Sequence, residues 1–344
     1  DTSRPSGQVE QTLPILKAST PNHPHPALWR VALTPTSRLK SPNDGDPKTA
    51  KAQPFTALRL IWHDYPGEWF EEDPSSDEEA SRRIETFTQL LQADVALILV
   101  DGQKLLTHAG EEEKYLKSML WGLRDGLEKL KDEILPDGEP LARFPRIWVL
   151  ALSKADLHPG LDVHQFHDLV VEKAGGDVTA LHQTLKEFVQ VPDALSLGED
   201  FLLLSSARFE PGKIEVAQRI GLDLILPVAL MLPLERTAQW ANRFDIPLKV
   251  LRVLVENAQE VAAVLTAGAV VVAKLLARVP KVGPLLSKAL VPALVAAVQL
   301  STKKLEEIHT KALADRDYLT ATLAQFRLDL DRGVKDNVLV KGPW

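Results

Sequence analysis

Three short runs of unbroken apolar residues constrain this chain more than anything else in it: Asp94 to Val100 (DVALILV), Arg146 to Leu152 (RIWVLAL) and Phe201 to Leu204 (FLLL). Each is followed at once by polar, turn-forming residues. A strand that alternates apolar and polar residues covers one face of a sheet, whereas one that is apolar throughout is buried on both, as in parallel sheets flanked by helices. The segments between the runs carry apolar residues at helical spacing: Glu78 to Leu91 and Gly110 to Leu130, then His164 to Glu172 and Thr179 to Phe188. Upstream, Leu28 to Leu33 and Ala57 to Trp62 (ALRLIW) are further strand candidates. Alternation of this kind predicts an α/β fold, a mainly parallel sheet with helices on both faces.

The ends of the chain read differently. The first 56 residues are rich in Pro, Ser, Thr and His, as in Thr20-Pro21-Asn22-His23-Pro24, and read as loops. Beyond Pro211, Val, Ala and Leu dominate, which predicts helices at Ile214 to Leu226, Pro233 to Asn242, Pro247 to Val279 and Pro284 to Leu330, the last two separated by Pro280 to Pro284. A boundary near Arg243 therefore divides an α/β domain, 1–242, from an all-helical C-terminal extension, 243–344. Within the extension Val261 to Ala273 is apolar for 13 residues, and Val282 to Leu300 is apolar save Lys288 and Gln299. Runs of about 10 to 14 residues suit a buried helix, where a bilayer span takes about 20. Such a surface is expected to be covered by the α/β domain or a bundle, by a protein partner, or by contact with a membrane surface.

Composition narrows the functional classes. The net charge of −7 excludes the broad basic surface of a nucleic-acid binder. With no Cys there are no disulfides, thiolate metal sites or Cys nucleophiles, as suits a reducing cytoplasm, with the membrane periphery as a second location for the apolar extension. The chain begins at Asp1 without a basic-then-apolar leader, and is expected to be a fragment or the ordered part of something longer.

The residues that carry chemistry follow the strands. At the end of ALRLIW comes His63-Asp64-Tyr65-Pro66-Gly67-Glu68-Trp69, with Asp-x-x-Gly at a strand's carboxyl end. There a carboxylate can hold Mg²⁺, directly or through water, while a Gly N–H meets a γ-phosphate and swings away after hydrolysis. After RIWVLAL comes Ser153-Lys154-Ala155-Asp156, similar to an N/T-K-x-D sequence. Its Asp can accept two hydrogen bonds from the N–H edge of guanine while the Lys stem lies along the base. After FLLL comes Ser205-Ser206-Ala207, in which an S-A pair offers a backbone N–H to the base carbonyl. Three such sequences in this order, each at the end of a separate strand, fall where open α/β sheets bind nucleotides.

On these motifs the chain, over roughly Leu28 to Asn242, resembles the TRAFAC class of P-loop GTPases with their Ras-like G domain. Within that class it is similar to bacterial YcjX-like and double-GTPase families, whose third motif reads D-Y-P-G-E-W. The resemblance implies a switch that binds GTP and GDP with Mg²⁺ and hydrolyses GTP, with output through the helical extension to a protein partner. It assigns Asp64 to Mg²⁺, with Thr20 as the first-switch Thr, Gly67 to the γ-phosphate and Glu68 to the attacking water. Ser153, Lys154, Asp156, Ser205, Ser206 and Ala207 are assigned to the base. Ser153 stands where the class has Asn or Thr. The phosphate-binding sequence G-x-x-x-x-G-K-[ST] occurs nowhere in the chain, and Gly45-Asp46-Pro47-Lys48-Thr49 reads as a loop. The resemblance thus implies a phosphate loop upstream of Asp1, or a degenerate GTPase serving as an interaction scaffold. His158, His164, His167 and His182 read as ordinary surface histidines rather than a zinc site.

Overall fold

The computed structural model describes residues 75–91, 93–135, 137–210, 213–255, 295, 297–315 and 318–342. The expected strands at Leu28 to Leu33 and Ala57 to Trp62, and the apolar stretches Val261 to Ala273 and most of Val282 to Leu300, lie outside these residues.

The described chain is mixed α/β. It runs α1 (Asp77–Leu90), β1 (Val95–Asp101), α2 (Gly102–Thr107), α3 (Glu112–Lys129), α4 (Lys131–Ile134) and β2 (Ile147–Ser153). These are followed by α5 (Val163–Lys186), β3 (Ser196–Leu203), the short strands β4 (Arg208–Glu210) and β5 (Lys213–Glu215), and α6 (Ile225–Arg243). The last elements are α7 (Leu248–Val255), α8 (Thr302–Ala314), α9 (Tyr318–Lys335) and β6 (Leu339–Val340). The main sheet has the order β1-β2-β3-β6, with β1, β2 and β3 parallel and β6 antiparallel at the edge.

Period-two alternation explains why the strands are apolar throughout. In β2, Trp148, Leu150 and Leu152 join one core with α3 and α5, while Ile147, Val149 and Ala151 join a second core with α6 and α9. The α3 stripe is Leu116, Leu120, Leu123 and Leu127, all buried, and each contributes about 2 kcal/mol relative to exposure. Acidic residues in its first turn, Glu112 and Glu113, and Lys129 in its last complement the helix dipole. Asp162 begins α5 with a capping box, accepting from Gln165 N at 2.9 Å while its own N–H donates to Gln165 Oε1 at 2.8 Å.

The helices expected at His164 to Glu172 and Thr179 to Phe188 are both present within α5, whose backbone is non-helical at Ala174 (φ −143°, ψ 17°), a kink just before Gly175-Gly176 that divides the span in two. Several sequence expectations need correction. Ile214 to Leu226 is not helical: its first part belongs to the β4–β5 hairpin, and a 3-10 turn, Leu222–Leu224, leads into α6. The period-two pattern Arg208-Phe209-Glu210 and Lys213-Ile214-Glu215 about Pro211-Gly212 carries that outcome. Pro284 to Leu330 is interrupted, since Ser301 caps α8 by accepting from Lys304 N and α9 starts anew at Tyr318. Nor is the C-terminal extension all helical. Its last strand, β6, pairs with β3 through Phe201↔Val340 and Leu202↔Leu339, while α9 packs on the sheet face shared with α6. No helix among the described residues is long and apolar enough to cross a membrane.

Candidate functional site

The carboxyl ends of β1, β2 and β3 meet at one end of the sheet, because the three strands are parallel and nearly in register; Asp101 stands opposite Ser153. Three links stitch the loops after them. Ser153 Oγ donates to Val100 O at 3.1 Å, Ala155 N donates to Leu204 O at 3.0 Å, and His158 Nε2 lies 2.8 Å from Gly102 O. Gly102 has to be glycine here: a Cβ on it would stand 2.5 Å from Ser153 O and 2.9 Å from Lys154 O. His158 thus joins the loops, while His167, on α5, sets its ring edge-on to Phe201.

Lys154 occupies the left-handed region (φ 53°, ψ 40°), uncommon for a side-chain-bearing residue, and leads into a 3-10 turn, Ala155–Leu157. Its ammonium reaches Asp101 Oδ2 at 2.9 Å. Asp156 sits in that turn, half-buried. Its Oδ1 lies 2.5 Å from Ser205 Oγ, and its Oδ2 accepts the backbone N–H of Phe209 at 2.9 Å. A carboxylate offers about four lone-pair directions, so these two donors leave capacity on both oxygens for further N–H groups. Ser205 is buried and anchored by a reciprocal backbone pair with Ile220, and its hydroxyl also lies 2.6 Å from Ala207 O. Ser206 is exposed and Ala207 buried.

The base-site residues named from the sequence, Ser153, Lys154, Asp156, Ser205, Ser206 and Ala207, therefore gather in the loops after β2 and β3. Of the three after β3, Ser205 is the one whose side chain meets Asp156. Asp64, Gly67, Glu68 and Thr20 lie outside the described residues.

Two residues of this end were missed by the sequence reading. Asp101 was passed over because the strand was taken to end at Val100, although an Asp-Gly pair after an apolar run is itself a strand-end signature. It begins α2 by accepting from Gln103 N at 2.8 Å, and its own N–H donates to Tyr115 Oη at 2.9 Å. Burial pushes the Tyr115 phenol well above its ordinary range, so it stays protonated. Phe209 was read as part of no motif, yet its backbone meets Asp156. Its ring is 47% exposed, beside Ile214, its partner across the hairpin.

No family model, curated protein or solved structure matches the chain.

Proposed function

We propose that the chain is a guanine-nucleotide-binding switch of the Ras-like G-domain type, hydrolysing GTP with Mg²⁺ and passing its state to the C-terminal segment. The observation that carries the reading is Asp156: a half-buried carboxylate at the carboxyl ends of adjacent parallel strands, braced by Ser205 and Phe209, with lone pairs to spare on both oxygens. Guanine presents N1–H and N2–H₂ side by side, and a braced carboxylate accepts that pair without reorganising. Adenine offers an acceptor at N1 and is refused. Lys154, two residues before it and held in the left-handed region, supplies in this reading the methylene stem that lies along the base. In this reading Asp64 and Thr20 hold Mg²⁺, Gly67 meets the γ-phosphate and Glu68 orients the attacking water. The C-terminal segment is near enough to respond, since Leu203 N donates to Val338 O and β6 pairs with β3, the strand that leads into Ser205. The helices before β6 are the surface offered to a protein partner or a membrane.

The test is a titration of the full-length protein with labelled GTP, GDP and ATP in Mg²⁺, beside Asp156→Asn. GTP and GDP bind and ATP does not; Asp156→Asn loses guanine nucleotides and gains xanthine nucleotides, whose C2 carbonyl accepts from the new amide. If no nucleotide binds at millimolar concentration the switch reading fails. Asp156 is then a loop brace, and the α/β domain is an interaction scaffold.

A further inference from the structure

We propose that Asp101 is a positioning residue for the base site: by holding the Lys154 ammonium, it fixes the lysine stem as one wall of the nucleobase pocket and joins the end of β1 to that pocket. This inference rests on the guanine-nucleotide reading and adds to it a residue outside the three motifs.

The geometry separates two tasks on one carboxylate. Oδ1 serves the fold by accepting from Gln103 N at the start of α2, and Oδ2 faces away and takes Lys154 Nζ at 2.9 Å. The two side chains differ in exposure, 15% for Asp101 and 49% for Lys154, so the anion is the fixed member and the lysine the one being held. Asp101 is fixed several times over. It stands opposite Ser153 in the sheet, its N–H is engaged by the buried Tyr115 hydroxyl, and the next residue, Gly102, lies against the Ser153 and Lys154 carbonyls. A surface ion pair of this exposure adds little to folding. Its value is directional: a lysine stem has four rotatable bonds, and pinning both its ends leaves the methylenes in one path. One end is the left-handed Lys154 backbone and the other is Asp101 Oδ2. With the ammonium occupied at Asp101, the apolar part of the side chain is what remains to meet a base.

The experiment is a double-mutant cycle on the full-length protein, using Asp101→Asn, Lys154→Met and the pair, with Kd measured for GDP and GTP in Mg²⁺ and thermal unfolding recorded alongside. Asn keeps the acceptor that caps α2, and Met keeps the apolar stem while removing the ammonium. Asp101→Asn is expected to weaken both nucleotides about tenfold with an unchanged melting temperature, and to have no further effect in the Lys154→Met background. An equal effect in both backgrounds, or no effect in either, overturns the proposal while nucleotide binding by the unaltered protein keeps the broader reading intact. Absence of nucleotide binding by the unaltered protein overturns both.

Discussion

Two polar clusters sit on the same sheet and differ in access to water, and that difference separates polarity spent wholly within the fold from polarity with acceptor capacity left over. Along the β3–β6 edge, Asp200 and Arg236 are both at 0% side-chain exposure. The Asp200 carboxylate takes Arg236 Nη2 at 2.6 Å, Ser196 Oγ at 3.0 Å and Gly342 N at 3.2 Å. Beside it, Glu235 on α6 meets Arg327 of α9 and Lys341 after β6, each at 3.1 Å. At the carboxyl ends of the strands, Asp156 and the Asp101–Lys154 pair are engaged but only partly covered. A charge out of water has to be met by the protein itself, and such a group holds elements together. A carboxylate that is braced yet still reached by solvent keeps acceptor capacity for something that is not the protein.

The sharpest way to break this comparison is at the buried end. Asp200→Ala takes from the Arg236 guanidinium its fully buried partner and leaves the longer contact to Glu199 at 3.6 Å, an expected loss of about 3–5 kcal/mol in urea unfolding. Replacing both partners together, Asp200→Leu with Arg236→Met, is expected to recover much of that loss. Should the single change cost no more than a surface substitution, the pair is not the clamp described.

Gly102→Ala comes next, because it bears on the other cluster through backbone alone. The added methyl meets Ser153 O at 2.5 Å, so β1 and the loop after β2 have to part by several tenths of an ångström. Overpacking of this kind costs about 1–3 kcal/mol, measurable in the same unfolding assay. Nucleotide affinity is expected to fall with it, which Asp200→Leu with Arg236→Met does not cause. Asp156→Ala reverses the emphasis: Phe209 N loses its acceptor at a partly solvated site while the Ser205 hydroxyl keeps Ala207 O, for about 1 kcal/mol of stability. Guanine-nucleotide binding, measured by titration, is expected to vanish. A large stability loss with intact binding would place Asp156 with the structural cluster instead.

The sequence made the sheet legible because its central strands are apolar on both faces, and it brought Lys154, Asp156 and Ser205 to one end of the sheet because each follows an apolar run that becomes a parallel strand. What it hid has physical causes. The amino half of β3, Ser196 to Asp200, contains Gly198 at φ +81° and two acids, so it reads as a loop, yet a bulge against Trp148 and Leu150 turns Asp200 inward to Arg236. That pairing spans residues far apart in the chain, which local pattern cannot reveal. The return of the C-terminal segment as β6 is two residues long, below any periodicity. Asp101 needed only a strand end moved by one residue, yet its partner Lys154 lies 53 residues away.

The smallest expected effect tests whether polar groups outside both clusters stay out of function. His182 on α5 is half-buried, and its Nε2 has no hydrogen-bond partner among the described residues. Burial holds its imidazolium form below the ordinary histidine range, Lys186 adds to this, and a backbone hydrogen bond at Leu195 works against it. The unfolded chain therefore takes a proton near the usual value of about 6.5 that the folded chain declines. Above that pH His182 leaves stability unchanged; as pH falls below it, stability is lost until the folded imidazole also titrates. Urea midpoints measured from about pH 7.5 down to about pH 5 should fall, and His182→Gln should flatten the fall. Nucleotide affinity should show no His182-dependent change over the same range. If the substitution moves affinity as well, α5 is coupled to the base loops, and the division between the two clusters is too sharp.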